Sequence, residues 1–280
     1  MSKTSVRGSS SVRGLDLASI LKDLISDGLI AQSDAAEIAS AQRNRKEALL
    51  HPLEIIAAKG LVYGPDQKTL TLESLSEWLA KKACLQLAHI DPLKINVPAI
   101  TSIMSFAYAQ RYGILCLSVS RDELVIATMQ PFDRSWVESL EQTSRRPIKT
   151  VVANPAEIKK YSLEFYSLAK SVFGAGTSAI SGTGIANFEQ LLEVGKLKDA
   201  EAQDQHIVNI VDWLLQYAFE QRASDIHLEP RRSKGKVRFR IDGVLHLVYE
   251  LPDNVMTAMI SRLKILGRMD VAEKRRPQDG

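Results

Sequence analysis

Residues 236–251, KVRFRIDGVLHLVYEL, alternate between apolar and polar side chains on both sides of the dipeptide Asp242-Gly243. This pattern predicts two antiparallel strands, and Asp-Gly is favoured in a type I′ hairpin turn because both central positions need a positive φ. Such a turn determines which side chains share a face of the hairpin. The predicted core face holds Val237, Phe239, Ile241, Val244, His246 and Val248, and the other face holds Arg238, Arg240, Leu245, Leu247 and Tyr249.

The second face of the hairpin mixes arginines with large apolar residues, which suits docking against another domain or subunit. A guanidinium held on a strand can offer two parallel donors to a phosphate, as Lys cannot. Arg238 and Arg240 are therefore candidate phosphate ligands, and Arg262 on the following helix is a third. The alternative is that these arginines only keep an exposed face solvated, and spacing alone favours that alternative.

The preceding stretch, 223-ASDIHLEP-230, places Asp225, His227 and Glu229 on one face of a predicted strand. Three ligands at this spacing span about 13 Å, whereas zinc bonds to nitrogen or oxygen are about 2 Å long. We therefore interpret the three residues as a polar strand face with structural hydrogen bonds, and predict no metal site. The chain also lacks a G-x-x-x-x-G-K-[ST] motif, so by itself it should not hydrolyse ATP.

Beyond the hairpin, the pattern predicts a multi-domain α+β protein. Residues 1–16 are expected to be a disordered tail. Residues 17–167 are expected to form an N-terminal domain of a helical repeat and an α+β unit, and the Gly- and Ser-rich region within 168–203 is expected to be a flexible linker. Residues 204–280 form a small α-β-β-β-α domain that begins with a helix capped by Asp204.

Two similar segments, 19–30 and 51–62, each predict a short helix stopped by glycine, at Gly28 and Gly60. Asp34 with Glu37 three residues later predicts a capping box for the helix after the first segment. The similarity indicates a small repeat of helical hairpins, and chance similarity between amphipathic helices is the alternative.

The net charge of +3 is unevenly distributed, because residues 231–280 hold twelve Lys and Arg against six Asp and Glu. Such a local positive field suits phosphate, nucleic acid or an acidic partner. Few aromatic stacking positions and no helix-turn-helix spacing accompany it, so we predict no nucleic-acid partner. The sequence shows no membrane-spanning run and no secretory signal. Cys84 and Cys116 are predicted to be buried thiols.

Three motifs in order resemble the domain that precedes the catalytic core of type II secretion and type IV pilus assembly motor ATPases. They are SDIHLEP at 224–230, RFRIDG at 238–243 and AEKRRPQDG at 272–280. The resemblance covers about residues 204–280, and 17–167 is similar to the N-terminal domain of the same family through weaker motifs. This similarity implies a docking or regulatory role for 17–167. The resemblance implies a hexameric motor in which a RecA-like core with a phosphate-binding loop follows the last motif.

The resemblance also implies roles for particular residues and partners. Arginines of this domain close over the nucleotide of a neighbouring core, and the last motif acts as a hinge. ATP and Mg²⁺ are implied for the complete protein and not for this chain alone. The implied partners are inner-membrane platform proteins and identical subunits, and the implied location is cytoplasmic and peripheral to the inner membrane. The matching residues are Arg238, Arg240 and Arg262 for the nucleotide, and Arg275, Arg276, Pro277 and Gln278 for the hinge.

Some members of this family bind cyclic di-GMP through a doubled segment that begins Arg-Leu-Gly. Here Ser19-Ile20-Leu21 and His51-Pro52-Leu53 stand at those positions, so the guanine-stacking and phosphate-pairing arginines are missing. We therefore predict weak or no binding of cyclic di-GMP. The alternative function is a stand-alone adaptor or cyclic-dinucleotide-sensing module without catalysis.

Overall fold

The computed structural model describes residues 15–41, 50–63, 68–177, 192–231 and 234–280. The chain divides into two compact units, one of residues 1–90 with 102–162 and the other of 91–101 with 163–280. Helices accompany separate small sheets, so the prediction of a multi-domain α+β fold is confirmed. The division differs from the predicted boundaries, since residues 91–101 and 163–177 cluster with the C-terminal part.

The first unit begins with helices that share one apolar core. They are α1 Leu17–Ser26, α2 Gln32–Ser40, α3 Pro52–Ala57 and α4 Leu72–Lys82, with the short strands β1 Val62–Tyr63 and β2 Lys68–Thr69. Both copies of the repeat bury their matching residues in this core, Leu21 with Leu24 and Leu53 with Ile56. Gly28 and Gly60 follow α1 and α3 at φ values of +72° and +61°, which confirms the predicted glycine stops.

The predicted capping box at Asp34 is wrong. Helix α2 begins two residues earlier, after Ala31, and Asp34 lies inside its first turn without capping it. A capping box occurs instead at α3, where the His51 ring accepts a hydrogen bond from the Leu53 N–H and the Glu54 carboxylate accepts one from the His51 N–H. Histidine is not among the preferred N-cap residues, so the sequence pattern did not reveal it.

The rest of the first unit is a three-stranded sheet with helices around it. Its strands are β3 Ile114–Val119, β4 Leu124–Thr128 and β5 Ile148–Val152, in the order β3-β4-β5, with β3 and β4 antiparallel and β4 and β5 parallel. Helix α6 Phe106–Tyr112 precedes β3 in sequence, and α7 Val137–Ser144 lies between β4 and β5. Helix α6 is separate from the preceding helix α5 Val97–Thr101, because the Ser105 hydroxyl caps α6 by accepting a hydrogen bond from the Tyr108 N–H.

The helices flanking the predicted linker are longer than expected. Helix α8 spans Pro155–Thr177 and α9 spans Leu192–Glu220, so both ends of the predicted linker 168–203 are helical, and 178–191 lies outside the described residues. Residues 192–203 are rich in Leu, Glu, Lys and Ala, which are strong helix formers, so the helix extends past the predicted start. The predicted N-cap at Asp204 is therefore wrong, since Asp204 lies within α9.

The second unit contains an antiparallel sheet with the order β6-β7-β8, formed by β6 Asp225–Glu229, β7 Lys234–Ile241 and β8 Val244–Pro252. Helix α10, Asp253–Leu266, follows it, so the α-β-β-β-α order is confirmed. Asp242 and Gly243 have φ values of +49° and +80°, as a type I′ turn requires.

The hairpin departs from its predicted faces at a β-bulge. Val237 pairs with Tyr249 but Arg238 pairs with Leu247, so β8 contains one extra residue, Val248. Relative to strict alternation, the extra residue moves every later side chain of β8 to the opposite face of the sheet. Tyr249 therefore lies in the core and not beside the arginines, and its burial raises the pKa of its hydroxyl to about 12. Val244, assigned to the core face, is exposed beside the turn.

Two further sequence expectations concern the cysteines and membrane insertion. Cys116 is buried, which raises the pKa of its thiol to about 12, but Cys84 is exposed and its predicted burial is wrong. Cys84 follows the end of α4 in a left-handed turn with φ of +54°, outside the apolar stripe of that helix. In the part of the chain that the structure describes, no helix has the length and apolar content needed to cross a bilayer.

Candidate functional site

The open face of the sheet in the second unit carries the charged residues singled out from the sequence. In the register of β6 and β7, Asp225 lies opposite Arg240 and His227 lies opposite Arg238. Glu229 is the third member from β6, beyond His227. We call these five residues the arginine face. Alternation along β7 turns Val237 and Phe239 to the other side, where the Phe239 ring contacts Tyr217 of α9 at a centroid distance of 5.7 Å.

Both arginines are held by carboxylates of the neighbouring strand. The Arg240 Nε lies 3.1 Å from Asp225 Oδ2, and the Arg240 Nη1 donates to the Gly243 carbonyl oxygen at 3.4 Å. Arg238 donates from Nε to Glu229 Oε1 at 2.8 Å and from Nη2 to the same oxygen. Two of the three residues of the predicted polar strand face, Asp225 and Glu229, are therefore paired with the neighbouring strand.

The ion pairs leave part of each guanidinium available. The hydrogen bonds from Arg238, together with its positive charge, hold the pKa of Glu229 below its ordinary value, so this carboxylate is ionised at neutral pH. The side chains of Arg238 and Arg240 remain 33% and 38% exposed. A guanidinium has five N–H donors. Toward the residues that the structure describes, each arginine uses two of them, which leaves donors for another acceptor.

The donors of the arginine face suit phosphate oxygens better than they suit a divalent cation. Planar guanidinium donors match phosphate oxygens, whereas Mg²⁺ takes oxygen ligands that must be free to coordinate it. Asp225 and Glu229 already pair with arginines. Among the described residues, no group of three or more His, Cys, Asp or Glu side chains is placed to hold a metal ion.

Arg262 lies apart from the other two arginines. It belongs to α10, in which Val255, Met256 and Met259 are buried. The Met256 side chain lies directly against Gly235 of β7, on the side of the sheet that carries Val237. Since Arg238 and Arg240 are on the opposite side, the sheet separates them from the helix that carries Arg262. The three arginines therefore do not form one cluster within this unit.

The predicted hinge is tied to the end of α10 by hydrogen bonds. Gln278 accepts from the Asp270 N–H at 2.7 Å and donates to the Asp270 carbonyl oxygen at 3.0 Å. The Lys264 ammonium donates to the carbonyl oxygens of Asp270 and Glu273. The Glu273 carboxylate accepts from the N–H groups of Arg275 and Arg276, which lowers its pKa. Pro277 lies within this loop and is exposed.

The structure also shows features of this face that sequence reasoning missed. His227 lies between the two ion pairs, and its Nε2 is buried without a hydrogen-bond partner among the described residues. Leu247, which pairs with Arg238 across the hairpin, lines a groove of about 600 Å³ together with Lys234, Glu250 and residues 93–99. Neither feature has a local sequence signal, because both depend on strand pairing and on packing between distant segments.

Comparison with protein families identifies two matching regions. Residues 200–280 match the family described as Type II/IV secretion system protein, and residues 85–172 match the MshEN domain. The first match contains the whole of the arginine face and the loop at 270–280. The second begins after the helical repeat of residues 19–62.

Individual proteins extend these matches over nearly the whole chain. The chain is 44% identical over 268 residues to the type IV pilus assembly ATPase TfpB of Acinetobacter baylyi, which covers 95% of the chain and 46% of that protein. It is 32% identical over 244 residues to type II secretion system protein E of Xanthomonas campestris pv. campestris, covering 87% of the chain and 41% of that protein.

A solved structure described as MshE with cdg aligns with 54% of this chain and 99% of its own, at 18% identity and a TM-score of 0.37. The chain spans less than half the length of the two curated relatives named above. The two matched domains, and relatives that cover 95% and 87% of the chain, agree with the motifs at 224–230, 238–243 and 272–280. This chain belongs to the family of type II secretion and type IV pilus assembly ATPases.

Proposed function

We propose that this chain is the N-terminal portion of a hexameric traffic ATPase that powers type II secretion or type IV pilus assembly. The observation that carries the proposal is its 44% identity, along 95% of its length, to a type IV pilus assembly ATPase. The chain contains no G-x-x-x-x-G-K-[ST] motif, so the loop that cradles ATP belongs to further sequence of the complete protein.

In this proposal Arg238 and Arg240 contact the phosphates of ATP bound in the catalytic core of a neighbouring subunit. ATP with Mg²⁺ supplies the phosphoryl group whose transfer to water releases the energy for movement. The two guanidiniums neutralise charge on the phosphate oxygens through the donors that their carboxylate partners leave available. Arg262, on the other side of the sheet, contributes at a different position from Arg238 and Arg240.

The other parts of the chain have mechanical roles in the proposal. Residues 17–167 dock the motor to proteins of an inner-membrane platform, which makes the complete protein cytoplasmic and peripheral to that membrane. Residues 275–278 serve as a hinge between residues 204–280 and the core. The hydrogen bonds between Gln278 and Asp270 support this role, because they define one closed arrangement from which the segment can be released.

The test compares ATP hydrolysis by the complete protein with that of its Arg238→Gln and Arg240→Gln variants. Removing a positioned donor to a phosphoryl group typically lowers kcat by 10²-fold or more, so we expect losses of at least about 100-fold. Arg231→Gln is the matched control, since Arg231 is 59% exposed and also lies near Glu229, at 3.5 Å. Equal activity in all three variants would refute the role of the two arginines.

The coding sequence beyond residue 280 tests the broader proposal. A strand, a G-x-x-x-x-G-K-[ST] loop and a helix within about 100 residues are expected for a motor of this family. If the natural reading frame encodes no such loop, the chain is an adaptor, and its arginine face must meet a phosphate on another protein.

A further inference from the structure

We infer that Asp225 and Glu229 are positioning residues, each of which holds one arginine of β7 in place for phosphate contact. The inference rests on the proposed function of Arg238 and Arg240 and adds a role for the two carboxylates. Pairing with the arginines also explains why the 223–230 stretch places acidic residues on one strand face. They are partners of the arginines and not ligands of a metal.

The two pairs differ in geometry in a way that matches the lengths of the acidic side chains. Asp225 lies directly opposite Arg240, and its short carboxylate reaches the Arg240 Nε at 3.1 Å. Glu229 lies opposite Lys236 and reaches Arg238 diagonally. Diagonal neighbours on paired strands are about 7–8 Å apart, so the additional methylene of glutamate is needed to close the second pair.

Fixing these arginines before the ligand arrives has a clear physical benefit. A free arginine side chain has many rotamers, and binding a phosphate would require it to lose that freedom. Here the contacts with Glu229 immobilise the Nε side of Arg238 in advance. Its unused N–H groups then occupy a defined place on the open face, which is the preorganisation that an efficient phosphate contact requires.

A purely structural role is the competing explanation. Half-exposed ion pairs stabilise proteins little, because solvent screens them and both side chains must be ordered. Charge-neutral variants of Asp225 and Glu229 should therefore fold normally. The positioning role then depends on the mobility of the arginines and on catalysis, not on stability.

The first experiment measures arginine mobility in the chain without nucleotide. In ¹⁵N-labelled protein, the Nε–H signals of Arg238 and Arg240 are assigned from Arg238→Gln and Arg240→Gln. We expect slow solvent exchange for both in the wild type. Glu229→Gln should accelerate exchange at Arg238 alone and Asp225→Asn at Arg240 alone, with Lys236→Gln as the control. Unchanged exchange in both acidic variants would overturn the inference.

The second experiment measures ATP hydrolysis by the complete protein. Because misplacing a catalytic contact by about 1 Å can cost up to 10²-fold, we expect Glu229→Gln to lower kcat/KM about tenfold. The Glu229→Gln/Arg238→Gln double variant should be no worse than Arg238→Gln alone, since the carboxylate acts through that arginine. Glu229→Asp, one methylene too short for the diagonal, should not restore activity.

A charge exchange distinguishes positioning from stabilisation. Glu229→Arg combined with Arg238→Glu keeps an ion pair but moves the guanidinium from β7 to β6, so we expect an unchanged Tm and no recovery of hydrolysis. Full recovery would overturn the positioning role. The two possible failures are distinct: wild-type activity of Arg238→Gln refutes the proposed role of Arg238 at the phosphates, whereas an impaired Arg238→Gln beside a fully active Glu229→Gln refutes only the inference.

Discussion

The buried histidine of the first unit makes its stability depend on pH. The His51 side chain is 4% exposed; its Nδ1 accepts a hydrogen bond from the Leu53 N–H at 3.3 Å, and its Nε2 lies 2.9 Å from the Met129 carbonyl oxygen. This pattern requires the neutral ring with the proton on Nε2, donating to Met129. Burial lowers the pKa of His51 from 6.5 to about 4, although the Met129 carbonyl and Glu54 oppose the shift.

The pKa difference gives the magnitude and sign of the effect. Between pH 6.5 and pH 4 the unfolded chain binds a proton at this position that the folded chain does not, so unfolding becomes easier as the pH falls. The free energy of unfolding that the neutral His51 ring contributes is complete above pH 6.5 and is lost by about pH 4. At about 1.4 kcal/mol per pKa unit, the free energy of unfolding should fall by about 3 kcal/mol over this range.

The assay is urea unfolding of the first unit at several pH values between 4 and 7. Trp78 and Trp136 belong to this unit, and replacing Trp213 by Phe removes the fluorescence of the second unit. His51→Asn is the matched variant, because asparagine can cap α3 but does not titrate. The difference in unfolding free energy between wild type and variant should change by about 3 kcal/mol from pH 7 to pH 4. A difference that stays constant over this range would refute the reasoning, since other titrating groups cancel in the comparison.

Three further predictions concern the turn, the cysteines and a nucleotide. Gly243→Ala should lower the free energy of unfolding, measured with urea, by about 1 kcal/mol, because φ at this position is +80°. A similar decrease for Lys236→Ala, which lies outside the turn, would contradict this explanation. Maleimide should label Cys84 rapidly and leave Cys116 unreacted at pH 7.5, and mass spectrometry of Cys84→Ser should show no fast labelling. Titration calorimetry with cyclic di-GMP should show weak or no binding; a micromolar or tighter affinity would contradict this expectation.

Local signals explain why much of the fold could be predicted. The hairpin turn follows from the need for positive φ at Asp242 and Gly243, and the stops at Gly28 and Gly60 have the same cause. The element order of residues 204–280 follows from periodicity within each segment. The family follows from three short motifs whose order and spacing are visible in the sequence.

The candidate site could be predicted only in part. Alternation along β7 placed Arg238 and Arg240 on one face, because a strand has a strict period of two. The same rule misplaced Tyr249, since a bulge inserts a residue without any marked signal in the sequence. The position of Arg262 was also undecided, because it depends on which side of the sheet α10 covers.

By itself, the sequence determined the turn, the order of the elements, the residues of the arginine face and the family. Only the tertiary structure decided that Asp225 and Glu229 pair with Arg240 and Arg238, that Tyr249 is buried and that His51 is neutral at physiological pH. The physical reason is the separation along the chain between the residues that interact. Turns and strand alternation depend on neighbouring residues, whereas ion pairs, bulges and desolvation depend on groups brought together by pairing and packing.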